Sequence, residues 1–539
     1  MSGRRTVKPE APKAGLEYIR QERGERTGAY PGRPERAARH WPGRPQAVQE
    51  SAEAIVPAAG GRREGPNIEQ KDPSMARRGK QQQTRQLAFA MDEAGEAQPE
   101  PSQGLAPPAA PSSPGPDPPL PPGLMEAVVA RPNMLAALKR VQANKGSPGV
   151  DQMTVQQLPG WLREHWKELK AALLAGRYRP QAVKRVEIPK PGGGMRQLGI
   201  PTVVDRLLQQ ALLQVLEPVF EPTFSDHSYG FRPRRSAHQA LAAAKRYVAA
   251  GREWVVDLDV EKFFDQVNHD KLMGKLAQRV ADKRLLLLVR EYLRAGVLVN
   301  GVVLERQEGT PQGGPLSPLL ANIVLDELDR ELEQRGHRFC RYADDCNIYA
   351  RSQRAGQRVM ASVSRFVTER LKLKVNAGKS AVARVSERQF LGYRLQASDG
   401  EVRWEVAPHS EARFRAKVRI LTSRTRGVRL EQVVSELRSY VYGWWSYFRY
   451  ELREGFWKRL DGWVRRRVRQ YLWVQWKTPR TRRRALHRLG VPWAEAGVGA
   501  VAPWPASKLP AVHRALGNAY LADLGCPVML TRWAELVTR

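Results

Sequence analysis

The stretch "RYADDCNIYA", residues 341–350, sets Asp344 and Asp345 side by side inside a run of strand-forming residues. Phe339 and Tyr342 before the pair, and Ile348 and Tyr349 after it, predict two strands joined by a tight acidic turn. Adjacent aspartates often serve a turn alone, because their side chains bond local backbone. Here the apolar flanks carry both charges toward a packed sheet, where unanswered carboxylates repel and lose hydration. A cation is therefore expected beside them.

A second acidic group lies upstream on another apolar strand, "VVDLDVEKFFD" at residues 255–265, with Asp257, Asp259, Glu261 and Asp265. Strand alternation puts Asp257 and Asp259 on one face, so spacing leaves both as candidates. If either meets Asp344 across a sheet, three carboxylates converge. Hard oxygen donors of this kind suit Mg²⁺ or Mn²⁺ and not zinc. Two such ions about 4 Å apart activate a 3′-hydroxyl and stabilise a leaving pyrophosphate in nucleotidyl transfer.

The totals agree with a polyanionic partner. Among 539 residues, 89 Lys and Arg stand against 55 Asp and Glu, a formal charge of +34. Solubility alone needs a magnitude of only about 2 to 8 in a small domain. Three cysteines without a CxxC pair exclude a disulfide framework and a cysteine-rich zinc site. No apolar run approaches the roughly 18 residues of a membrane span, so no membrane association is expected and the cytoplasm, at the nucleoid, is the expected location.

Residues 1–123 lack sustained periodicity and end in "PEPSQGLAPPAAPSSPGPDPPLPPG", which predicts a disordered extension and linker. That segment holds 18 Lys/Arg and 15 Asp/Glu, so nearly all of the surplus belongs to the remainder. From Leu124 helices and short strands alternate without regular βαβ spacing, which favours an α+β domain with an antiparallel sheet. "VKRVEIPKPGGGMRQLGIP" predicts two strands about a glycine turn flanked by Lys190 and Arg196. Residues 401–539 carry 27 Lys/Arg, 11 Asp/Glu and 10 of the 14 tryptophans, predicting a helical, basic, aromatic-rich module.

"YADD", the strand with Asp259 before "FF", and "GTPQGGPLSPLLANIVLDELD" from Gly309 together resemble reverse transcriptase motifs C, A and B. "NKGSPGVD", "SYGFRPRRSAHQAL", "FLGYRL" and "YVYGWWSYFRY" narrow the resemblance to bacterial group II intron-encoded proteins, which combine reverse transcriptase and maturase. It implies right-hand polymerase fingers and palm over 124–395, an α-helical thumb/maturase domain over 396–490, and a tail over 491–539 of the type lacking an HNH endonuclease.

By that resemblance Asp259, Asp344 and Asp345 are the catalytic carboxylates, binding two Mg²⁺ ions (Mn²⁺ as alternative) with Val260 in the metal-binding set. Phe264 becomes a gate against the nucleotide 2′-hydroxyl, selecting dNTPs. Lys190, Arg196, Gln312 and Lys379 join it in nucleotide binding, although Gly378 stands where the family more often has an acid. Tyr229 and Arg232 are implied template or primer contacts. In the family's usual "PGRS" segment, Arg234 replaces the glycine. Arg465, Arg466, Arg467 and Arg469, interleaved with aromatics in "LDGWVRRRVRQYLWVQWK", are candidates for phosphate contacts to structured RNA. The implied partners are group II intron RNA, a DNA target or primer, and dNTPs. Two other readings remain: a domesticated reverse transcriptase in DNA repair or defence, and an RNA-binding splicing factor with an inactive polymerase.

Overall fold

The computed structural model describes residues 123–189, 195–299, 302–304, 308–309, 313–398, 401–501 and 509–538. The predicted extension therefore lies outside the described residues apart from Gly123. The first helix-compatible run folds as α1 (Leu124–Val129) and α2 (Arg131–Asn144). Pro132 suits the first turn of a new helix and not the interior of a longer one, so the break falls at Ala130. After α3 (Leu158–Leu174), β1 (Val183–Pro189) and β2 (Met195–Ile200) pair antiparallel from Lys184↔Ile200 to Pro189↔Met195. The long helix α4 (Val203–Phe220) starts at Thr202, whose hydroxyl accepts from the Asp205 amide. Its residues 203–212 are all buried, which makes it the spine of the fingers.

The palm follows. Helix α5 (Ala237–Ala249) opens with a capping box in which Ser236 and Gln239 satisfy each other's amides. Next come β3 (Trp254–Leu258), α6 (His269–Ala277), α7 (Lys283–Arg294), β4 (Val297–Val299), β5 (Val302–Leu304) and α8 (Ser317–Gln334). Then β6 (Arg338–Tyr342), β7 (Asp345–Ala350), α9 (Gln353–Glu369) and β8 (Ala381–Arg384) complete it. The palm sheet has order β6-β7-β3-β8 and is antiparallel throughout, as expected. The fingers sheet, β2-β1-β4-β5, is mixed, because β1 and β4 run parallel. Both palm faces are covered: Val256 and Ile348 join the core with α8 and α9, while Val255, Cys340 and Tyr349 join a second core with α5.

That second core continues into the helical module. The hairpin β9 (Tyr393–Ser398) and β10 (Glu401–Val406) leads to α10 (Pro408–Leu421), α11 (Leu430–Phe448) and α12 (Glu454–Gln475). Phe414, Trp444, Phe448 and Trp457 interlock at its centre. The boundary expected at 395/396 falls inside β9, so the hairpin is the joint between palm and thumb. The tail expected over 491–539 is helical where it is described. Helices α13 (Pro479–Arg488), α14 (Trp493–Val501), α15 (Pro510–Ala515), α16 (Asn518–Asp523) and α17 (Met529–Val537) bury Leu516, Leu521 and Met529 in the thumb core. Asp461 of α12 accepts from the Met529 and Leu530 amides, capping α17. No described helix is long and apolar enough to cross a membrane.

Candidate active site

The acidic turn stands on a buried ion pair. Arg341, fully buried just before the turn, donates to both carboxylate oxygens of Asp329 on α8 at 2.7 and 2.5 Å. It also donates to Asn322 Oδ1, to the Ala343 carbonyl and to Ser228 Oγ. Five hydrogen bonds thus hold the backbone beneath Asp344. Ala343 takes φ 57, in the left-handed region that a tight hairpin turn demands. Gly230 packs directly against this turn: a Cβ there would lie 2.2 Å from the Ala343 nitrogen, so no larger residue fits without movement. Asn322 Nδ2 donates to the Gly230 carbonyl and closes the arrangement.

The register supplies the third acid. β3 pairs β7 from Trp254↔Ala350 to Leu258↔Cys346, and Asp259 follows directly where that pairing ends, at the end of the sheet that carries the acidic turn. The Asn376 amide donates to the Asp259 carbonyl, and the Asp259 amide donates to Ser380 Oγ. Lys379 Nζ lies 3.8 Å from the Asp259 carboxylate. Asp257 is engaged elsewhere. Arg388 donates to its Oδ2 at 2.8 and 2.5 Å and also to the Lys379 carbonyl. Burial pushes the Asp257 carboxyl above its ordinary range, against the pull of the Arg388 hydrogen bonds. Of the two acids that spacing left open, Asp257 is the one held by an internal arginine, Arg388, which no local pattern in the sequence announced.

The donor chemistry fits a divalent cation, since Asp259, Asp344 and Asp345 offer oxygen only. The expected convergence is looser than anticipated. Among the described residues no three His, Cys, Asp or Glu side chains are gathered closely enough to hold a metal ion. Val260 bridges Val375 beside Asp259. Phe264, half-buried in the short turn Phe263–Asp265, packs edge-on against Phe263 with ring centroids 5.3 Å apart. Lys190, Gln312 and the Arg196 side chain lie outside the described residues; the Arg196 backbone pairs with Ile188.

Two sequence-predicted contacts have internal roles here. Tyr229 is buried in the second core, its amide donating to the Arg341 carbonyl, and burial pushes its phenol up to about 12. Arg232 is buried too, paired with Glu221 and donating to the Ser225 and Ser228 carbonyls. Both support the loop under the acidic turn in place of the template contact their motif suggested. Arg234 adopts φ 59, a conformation that costs about 1–2 kcal/mol in any residue with a Cβ. The replacement of the usual glycine therefore strains the turn.

The thumb arginines divide. Arg467 donates to Thr422 Oγ1, the Thr422 carbonyl and Gln470 Oε1, tying α12 to the end of α10. Arg469 is buried, and its Nε donates to the Leu516 carbonyl, tying α12 to α15. Arg465 and Arg466 make no hydrogen bond or ion pair among the described residues and line a cavity with other cations.

Comparison with known proteins agrees with this geometry. The reverse transcriptase (RNA-dependent DNA polymerase) family matches residues 188–395, and the group II intron maturase-specific domain matches residues 412–490. Protein YkfC of Escherichia coli is 34% identical over 346 residues, covering 56% of this chain and 91% of that protein. The group II intron-encoded protein LtrA of Lactococcus lactis is 40% identical over 208 residues, covering 38% of this chain but 34% of its own. The Retron Mx65 reverse transcriptase of Myxococcus xanthus is 30% identical over 284 residues, covering 48% of this chain and 64% of its own. A polymerase palm followed by a maturase-specific module makes this chain a member of the group II intron-encoded reverse transcriptase/maturase family.

Proposed function

We propose that this protein copies RNA into DNA at the palm hairpin and grips a group II intron RNA through its helical module, promoting splicing and then reverse transcription during retromobility. The observation that supports the reading is the palm register: β3 and β7 pair as far as Leu258↔Cys346, so the strand carrying Asp259 ends beside the turn carrying Asp344 and Asp345. Asp259, Asp344 and Asp345, with Val260 beside them, would hold two magnesium ions. When bound, these supply activation of the primer 3′-hydroxyl and stabilisation of the departing pyrophosphate.

The chain's own residues do the positioning. Arg341 and Gly230 fix the turn that presents Asp344. Lys379, within ion-pair reach of Asp259, has a long exposed side chain that reaches toward an incoming triphosphate. Phe264 presents an apolar ring where a nucleotide 2′-hydroxyl would need a polar partner, which favours dNTPs. Lys190, Arg196 and Gln312 complete the nucleotide pocket in this reading.

The test is primer extension on an RNA template with Mg²⁺ and dNTPs. The parent extends, Asp259→Ala and Asp344→Ala do not, and Phe264→Ala admits ribonucleotides. A parent without extension, or an active Asp344→Ala, overturns the assignment. Binding to the cognate intron transcript is tighter than to unrelated folded RNA and weakens as salt rises; equal affinity for both overturns the maturase half.

A further inference from the structure

Helix α12 carries all of its cations but Arg467 on one face. Lys458, Arg459, Gly462, Arg465, Arg466 and Arg469 recur at three- and four-residue steps, so they line a single stripe. With Arg415 of α10 they enclose a cavity of about 540 Å³, within the range of built ligand pockets. The opposite wall comes from the C-terminal helices, through His513 and Asn518.

Three features separate this cavity from an ordinary solvated helix face. No carboxylate lines it, and of its six Lys and Arg only Arg415 has an ion-pair partner among the described residues, Glu411 on its own helix. The one acid in this stretch of α12, Asp461, is turned away and capping α17. Gly462 lies in the cavity wall, and a Cβ there would meet nothing within 4 Å, so the missing side chain keeps the space open. Cations crowded in this way repel one another until an anion enters. Consistent with that, the Arg469 guanidinium is held below its usual range first by burial and then by the neighbouring Arg465 and Arg466.

We propose that this cavity is a phosphate pocket that takes a sharp bend in the backbone of a folded RNA, with several phosphates converging between α12 and the C-terminal helices. The inference rests on the RNA-gripping role proposed for the helical module and gives that grip a specific seat. An extended strand lays its phosphates along a groove, and a duplex presents a convex ridge. A compact concave space accepts several phosphates only where the chain folds back, as it does in the loops and bulges by which RNA is recognised. Trp463, with Arg415 and Arg419 over its ring at 4.8 and 5.6 Å, holds those guanidinium groups at the rim.

The experiment uses the full chain with three probes: sodium tripolyphosphate, a bulged hairpin RNA, and single-stranded DNA of the same sequence. Tripolyphosphate is expected to raise the unfolding temperature by on the order of a few degrees and to displace the labelled RNA. Arg459→Ala/Arg466→Ala, both exposed positions, should weaken tripolyphosphate and RNA binding roughly 10-fold or more. Gly462→Leu fills the space without removing a charge and should do the same, whereas a diffuse basic surface would be indifferent to it. If Gly462→Leu binds tripolyphosphate and RNA as the parent does, the pocket is overturned while a general RNA grip stands. If the DNA strand binds as tightly as the hairpin, the assignment to bent RNA is overturned. Asp344→Ala should keep the full tripolyphosphate response, so failure of the polymerase reading and failure of the pocket give different results.

Discussion

The palm turn and the thumb cavity treat charge in opposite ways. Beneath the turn, Arg341 is wholly buried and its donors are spent on Asp329, Asn322, Ser228 and the Ala343 carbonyl. In the cavity, Arg465 and Arg466 face open space with no acid on the lining. Charge answered inside the fold builds the scaffold; charge left unanswered marks where a ligand belongs. The same test separates Asp257, clamped by Arg388, from Asp259 nearby, which an exposed lysine approaches only to 3.8 Å.

The contrast breaks most sharply at Asp344. Asp344→Ala should lower primer extension on the order of 1,000-fold or more, the loss expected when several kcal/mol of charge stabilisation is removed. Arg341→Met should cost about 3–5 kcal/mol by urea unfolding, because Asp329 is left charged and unpaired. Arg341→Met/Asp329→Leu should recover much of that loss, and failure to recover would mean the pair does more than neutralise itself.

Gly230→Ala pushes a methyl into the Ala343 backbone and should cost roughly 1–3 kcal/mol while slowing extension. Full activity there would show that the turn tolerates displacement. Arg234→Gly should stabilise by on the order of 1 kcal/mol, read as a raised urea midpoint, by relieving the left-handed backbone. The smallest effect concerns pH. Burial raises the Asp461 carboxyl above its ordinary 3.8, so its contribution to stability is fully present below that value and is lost as pH rises through the raised one. Asp461→Asn should flatten that part of the profile of unfolding free energy against pH; an unchanged slope would mean that Asp461 does not titrate there.

The paired strands, the long helix at Val203–Phe220 and the aromatic-rich helices were legible because their periodicities are long and regular. The order of motifs also announced a polymerase. What the sequence hid are interactions across distance: Arg388 reaching Asp257 over 131 positions, and Ser228 meeting Arg341 over 113. The helices within the C-terminal segment were not legible, because α15 and α16 have six residues each, too few to show a helical repeat. Arg467 and Arg469 looked like Arg465 and Arg466 because a run of arginines does not say which of them is already satisfied by Thr422 or Leu516.

The cavity's two walls also have a temporal meaning. Arg415 and Asn518 stand about a hundred positions apart along the chain. At roughly 5–20 residues per second, a ribosome needs on the order of 5–20 seconds to deliver the second wall after the first. During that interval the nascent thumb displays its arginines without the helices that shape them. The cavity is therefore complete only after His513 and Asn518 have emerged and their helices have packed with Met529 into the thumb core.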